Sequence, residues 1–165
     1  MAFKMKSDRA RKIWKWLFLA AVLVAVGLQF ANPSLKNPTA EPGGDLMATN
    51  PPPPEIASLL RGACYDCHSV ETKWPWYSRV APVSLWVMDH VKEGRQKLNF
   101  SEWPHADPVR ARKKLTHIGD AVRDGDMPLP SYGWIHSAAR LTTAQRELLA
   151  AWADQAAQRL GKAEE

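Results

Sequence analysis

Two thiols and an imidazole fall within five residues of one another, in the run Cys64-Tyr65-Asp66-Cys67-His68. These are the only cysteines in the chain. A dithiol at this spacing can serve thioredoxin-like redox chemistry, but that use needs a β-α-β setting. A structural zinc site needs further sulfur ligands, and the sequence has none to offer. A disulfide across so short a loop is sterically awkward.

The histidine directly after the second cysteine points elsewhere. C-x-x-C-H is the attachment signature of a c-type haem. The two thiols add to the two vinyl groups on one side of the porphyrin, and the next residue can reach under the ring to the iron. The expectation is one haem c, held covalently through Cys64 and Cys67, with His68 as axial ligand. A second axial ligand must then come from elsewhere in the chain. Met127 is the expected one, in Asp126-Met127-Pro128-Leu129-Pro130, where two prolines stiffen a loop around a soft thioether. His90, His117, His136 and His105 are the rivals.

Such a site needs a scaffold, and hydrophobic spacing indicates a helical one. Pro54 suits a first helical position, with Ile56, Leu59 and Leu60 on one face. A second helix is expected over 83–98, with Val83, Trp86 or Val87, Val91 and Leu98 on one side. A third starts at the Asp107-Pro108 cap and carries Ala111, Leu115, Ile118 and Val122, with Gly125 to end it. A fourth opens on the capping box Thr142…Gln145 and turns Leu148, Leu149, Trp152, Ala156 and Leu160 inward. Irregular connections are expected over 68–82 and 125–141. No sustained strand alternation is visible, so the expected fold class is all-α: a small helical domain with long loops.

The chain has 165 residues, enough for one ordinary domain. Its net charge of +5 suggests nucleic acid until the charges are placed. Six of the 22 basic residues but only one of the 17 acidic ones fall in residues 1–30. That segment carries the whole excess and the rest is neutral, which excludes a nucleic-acid footprint. After the basic tail comes an apolar run over 17–28, preceded by Trp14 and Trp16. It predicts one transmembrane helix with the N-terminus in the cytoplasm, a cleaved signal peptide being the alternative. Residues 31–54 hold seven of the 13 prolines and are expected to be a linker. The expected organisation is therefore 1–30 tail and anchor, 31–54 linker, and 55–165 haem domain.

Two resemblances add to this reading. Met127-Pro128, the loop to Tyr132, Leu141 to Arg146 and Leu149-Ala150-Ala151-Trp152 resemble the C-terminal part of a class I cytochrome c, which implies a small cytochrome c-like helical domain with long irregular loops, preceded by the transmembrane helix. Cys64 to His68, Trp74-Pro75-Trp76-Tyr77-Ser78, Ala81-Pro82-Val83-Ser84, His90-Val91, Glu93-Gly94-Arg95 and Leu98 to Trp103 resemble the bacterial haem-binding domain family. The resemblance implies haem c with His68 proximal, and the cytochrome analogy makes Met127 distal. Trp74, Trp76 and Tyr77 are candidates to wall the haem edge, and Arg79 and Arg95 to pair with its propionates. The expected function is electron transfer by a membrane-tethered monohaem protein with an unidentified redox partner, not an enzyme. A haem sensor or peroxidase-like protein with an open sixth site, or an accessory subunit of a membrane complex, are the alternatives. The expected location is the bacterial cytoplasmic membrane, single-pass, with the haem domain on the periplasmic side.

Overall fold

Caps and prolines start the helices where the sequence places them. The structure is a computed structural model that describes residues 2–30, 34–40 and 42–162. Its helices are α1 (Ala2–Gln29), α2 (Leu46–Thr49), α3 (Pro54–Ala63), α4 (Tyr65–His68), α5 (Val83–Lys97), α6 (Pro108–Arg123), α7 (Pro130–Gly133) and α8 (Thr143–Lys162). No strand occurs among the described residues. Pro54 and Pro108 each occupy a first-turn position, where the missing N–H costs nothing. The Asp107 carboxylate accepts from the Arg110 N–H at 2.9 Å. Gln145 accepts from the Thr142 N–H at 2.9 Å, while Thr142 Oγ1 accepts from the Gln145 N–H at 3.2 Å, which completes the capping box. Past α6, Gly125 takes φ +82, a left-handed stop that a side chain would strain.

The chain divides into two compact units. One holds α1 and the stretch Trp74–Asp89. The other runs over Lys36–Lys73 and resumes at His90.

In the second unit, α6 and α8 form the most extensive helix pair. α6 buries Ala111, Leu115, Ile118, Gly119 and Val122. α8 answers with Leu149, Ala150, Trp152, Ala153, Ala156 and Ala157. The small residues let the backbones approach closely: a Cβ on Gly119 would stand 3.5 Å from the Ala150 carbonyl oxygen. α3 packs against α8 and buries Ile56, Leu59, Leu60 and Ala63. Leu148, expected inside, is exposed, because it lies about 100° around the helix from Leu149, which takes the core position.

Two expectations for the connections need amending. The stretches expected as irregular contain short helical turns at Trp76–Arg79 and Ser137–Ala139 as well as α7. Part of the proline-rich stretch is folded: Leu46 is fully buried, and the Gly44 carbonyl accepts from the Trp103 N–H at 2.8 Å. Ala31, Asn32 and Pro33, at its start, lie outside the described residues.

α1 contains Arg9–Gln29, 21 residues long and apolar enough to cross a membrane. Its tryptophans and aliphatic side chains point outward, away from any core.

In α5, Val91 is buried but Val83 and Trp86 are exposed, so the apolar face expected along the whole helix is confined to its second half.

Candidate functional site

The site is built around the end of α3. Cys64 follows α3 directly, and Cys67 and His68 lie in the single turn α4. The two cysteines are not joined in a disulfide. Burial, with a smaller contribution from Cys67, pushes the Cys64 thiol up to about 12. Burial and then the Asp66 charge push Cys67 to about 11. Before any attachment both are therefore protonated at neutral pH.

His68 is oriented by α5. Its Nδ1 lies 3.0 Å from the Gly94 carbonyl oxygen and 3.0 Å from that of Leu98. A carbonyl can only accept, so Nδ1 carries the hydrogen and the neutral ring keeps its lone pair on Nε2. Burial lowers the imidazole pKa, which holds the ring in that neutral form. Phe100 stands beside the ring, with centroids 5.8 Å apart. A nitrogen donor held this way is the arrangement of a metal-ligating histidine with its backbone support.

α5 comes this close because residue 94 is glycine. A Cβ there would fall 2.8 Å from the Cys67 carbonyl oxygen and 3.4 Å from Cys67 Cβ. Beyond it, the Arg95 guanidinium donates to the Ser69 carbonyl at 2.8 Å, Thr72 Oγ1 at 2.7 Å and Asn37 Oδ1 at 3.1 Å. This ties α5 to the chain that leaves His68. Arg95 was a candidate partner for an anionic cofactor edge, and the structure engages it with protein oxygens.

Two mainly apolar hollows of about 180 and 410 Å³ flank this motif, and both are lined by His68, Lys97 and Met127. Cys67, His90, Gly94 and Tyr132 line the smaller. Cys64, Phe100, Lys114 and His117 line the larger. Of the residues singled out in the sequence, His68 and Met127 line both hollows, Cys67 only the smaller and Cys64 only the larger. His90 and His117 also reach it. His136 instead stacks on Tyr132, with centroids 4.0 Å apart, and His105 is exposed beside Trp103.

The loop carrying Met127 is braced. Its N–H donates to the Ala121 carbonyl at 3.0 Å. Arg146 Nη1, from α8, donates to the Met127 carbonyl at 2.7 Å and to the Val122 carbonyl at 3.1 Å. Tyr132 Oη donates to Asp66 Oδ2 at 2.7 Å, which links the loop to the middle of the C-x-x-C turn. Sequence reasoning gave no individual role to Arg146 and Asp66, though both lie in the motifs singled out, and passed over Lys97 and Lys114. Only Gly94 left a signal, as a helix-interior glycine with a cost of about 1 kcal/mol relative to alanine.

Trp74, Trp76 and Tyr77 belong to the other unit. Trp76 is 77% exposed, and Trp74 and Tyr77 are half-buried.

The residues present fit an iron porphyrin. The hollows are mainly apolar and offer a backbone-oriented imidazole and a thioether, with Lys97, paired with Glu93 at 2.8 Å, and Lys114, bonded to the Lys97 carbonyl at 3.3 Å, in their lining. Fold and site together define an all-helical haem-binding protein. Residues 23–155 match the family model described as Haem-binding domain, and the chain belongs to that family. No curated protein and no solved structure matches the chain.

Proposed function

We propose that this protein is a membrane-tethered monohaem c-type protein that carries electrons. The observation that carries the reading is that His68 and Met127 line the same two hollows. The imidazole has its lone pair directed to Nε2 by two carbonyl bonds, and the thioether lines the same two hollows.

When bound, haem supplies a reversible one-electron couple. The chain does the rest. Cys64 and Cys67 would hold the group through thioether bonds formed by adding their S–H groups across its vinyl double bonds. His68 would offer Nε2 to the iron, and the Gly94 and Leu98 carbonyls hold that ring and raise its basicity. Met127 would supply the second donor, its loop kept in place by Arg146. Lys97 and Lys114 would lie near the anionic substituents. Phe100, Ile118 and Val122 would keep water from the ring, which raises the potential of the couple. An iron held by both His68 and Met127 would have no open position for turnover, so the reading is an electron carrier and not an enzyme.

α1 supports tethering. Its length matches a bilayer core, and Arg9, Arg11, Lys12 and Lys15 cluster at its N-terminal side. The positive charge supports a cytoplasmic N-terminus, which would leave the haem unit on the periplasmic side, within reach of a soluble or membrane-bound redox partner. Tethering raises the local concentration of the domain, so weak docking suffices.

The test is spectroscopic. The purified full chain, denatured, should keep its haem through acid–acetone extraction. The folded oxidised protein should show the weak long-wavelength band of thioether-to-iron ligation. Met127→Ala should abolish that band and open the iron to carbon monoxide. If the band is absent and Met127→Ala changes nothing, His90 and His117 become the ligand candidates. A wild-type chain that binds carbon monoxide would instead favour a sensor or peroxidase-like role.

A further inference from the structure

We propose that the stretch Trp74–Asp89 is a second membrane contact, seated in the phospholipid headgroup layer beside the outer end of α1. The proposal rests on the reading of α1 as a membrane anchor.

Gln29 is the last residue of α1. Its Oε1 accepts from the Ala81 N–H at 3.2 Å, and its Nε2 donates to the Ala81 carbonyl at 3.2 Å. A primary amide carries donor and acceptor side by side, so this two-point pairing fixes the segment at the helix end. α1 and Trp74–Asp89 also form one compact unit. The family match begins at residue 23, inside α1, so the end of this helix belongs with the rest of the family's fold.

Around Ala81 the surface is apolar. Trp76 is 77% exposed, Trp86 49%, Val80 44%, Val83 42% and Leu85 40%. Single exposed apolar residues are ordinary, but a cluster of large ones marks a contact surface.

Its position selects the occupant. The 21 residues of Arg9–Gln29 make a helix of about 32 Å, which matches a hydrocarbon core of roughly 30 Å. Gln29 therefore emerges at headgroup level and brings the segment with it. Tryptophan is enriched at that depth, because its ring is apolar and its N–H needs a polar partner. Arg79, also exposed, lies within the same stretch and suits anionic headgroups. The continuity with the anchor is what favours lipid over a protein partner for this surface.

The experiment uses the full chain in vesicles of phosphatidylcholine and phosphatidylglycerol. A fluorescent amino acid is placed singly at position 76, 85 or 86, at position 22 within α1, and at exposed position 155 of α8. The haem spectrum of each variant verifies folding. Lipids carry a nitroxide either near the headgroup or deep in the acyl chain. Positions 76, 85 and 86 should be quenched by the shallow nitroxide at least about twofold more than position 155, as expected of interfacial side chains. Position 22 should be quenched by the deep one. Deep quenching at 22 with no excess at 76, 85 and 86 overturns the membrane contact, leaves the anchor standing and assigns the surface to a protein partner. No deep quenching at 22 overturns the anchor reading and this proposal with it.

Discussion

The Gly94 carbonyl oxygen lies 3.0 Å from Nδ1 of His68, and the approach exists because Gly94 has no side chain. One glycine near the end of α5 thus admits one of the two carbonyl contacts, with that of Leu98, that orient the imidazole and fix its tautomer. Gly94→Ala would place a Cβ 2.8 Å from the Cys67 carbonyl, a backbone atom that cannot swing away. Overpacking costs about 1–3 kcal/mol, while alanine regains up to about 1 kcal/mol of helix propensity. The expected outcome is a net loss of about 1–2 kcal/mol in denaturant unfolding, with a raised haem potential as the Gly94 carbonyl is displaced from Nδ1 and the imidazole becomes a weaker donor. A more stable variant with an unchanged potential would refute the close-contact account.

Arg146 braces the methionine loop from α8. Arg146→Gln removes a charged donor from the Met127 and Val122 carbonyls. Hydrogen bonds to charged groups contribute about 1.5–3 kcal/mol, so stability should fall within that range. The variant should also bind carbon monoxide measurably faster than wild type, because the loop holds its thioether less firmly. Stopped-flow mixing of the reduced protein reads this directly.

The thiols make the unattached chain sensitive to alkali. Burial raises Cys64 to about 12 and Cys67 to about 11, from an ordinary value of 9.0. As pH rises past 9, the unfolded chain loses these protons first, so the haem-free fold is destabilised progressively between about pH 9 and 12. Below 9 both states keep the protons and the thiols contribute no pH dependence. Denaturation midpoints of the haem-free chain from pH 7 to 11 should fall above pH 9. A Cys64→Ser/Cys67→Ser variant should show a smaller fall.

The core should respond as a packed helix interface does. Leu115 is fully buried in α6, on the face that meets α8. Leu115→Ala should destabilise the protein by about 2–5 kcal/mol, measured by chemical unfolding. Leu148→Ala, on an exposed position of α8, should change stability by less than about 0.5 kcal/mol. Equal losses at the two positions would contradict the facing assigned to α8.

Much of the helical framework was legible because its signals are local. Asp107-Pro108, Thr142…Gln145 and Gly125 act on backbone groups within about four residues, so no tertiary information is needed to place those helix ends. The apolar stripe of α6 was equally plain, since one face meets one partner. The face of α5 was not. Its first half belongs to one compact unit and its second half to the other, and a single periodicity cannot describe two different surroundings. Leu148 and Leu149 show the same limit, because either could head the stripe until α6 selects one.

By itself the sequence determined the chemistry on offer: C-x-x-C-H, a proline-flanked Met127, an all-helical chain, and a basic apolar segment at one end. These are matters of covalent spacing and neighbouring residues. Only the tertiary structure decided which nitrogen of His68 keeps its lone pair, which of Met127 and the histidines reach its hollows, and where the tryptophans face. Each of those depends on atoms far apart in the chain. The Gly94 and Leu98 carbonyls, the Arg146 guanidinium and the Gln29 amide act at about 3 Å, a distance that folding creates and no local pattern records.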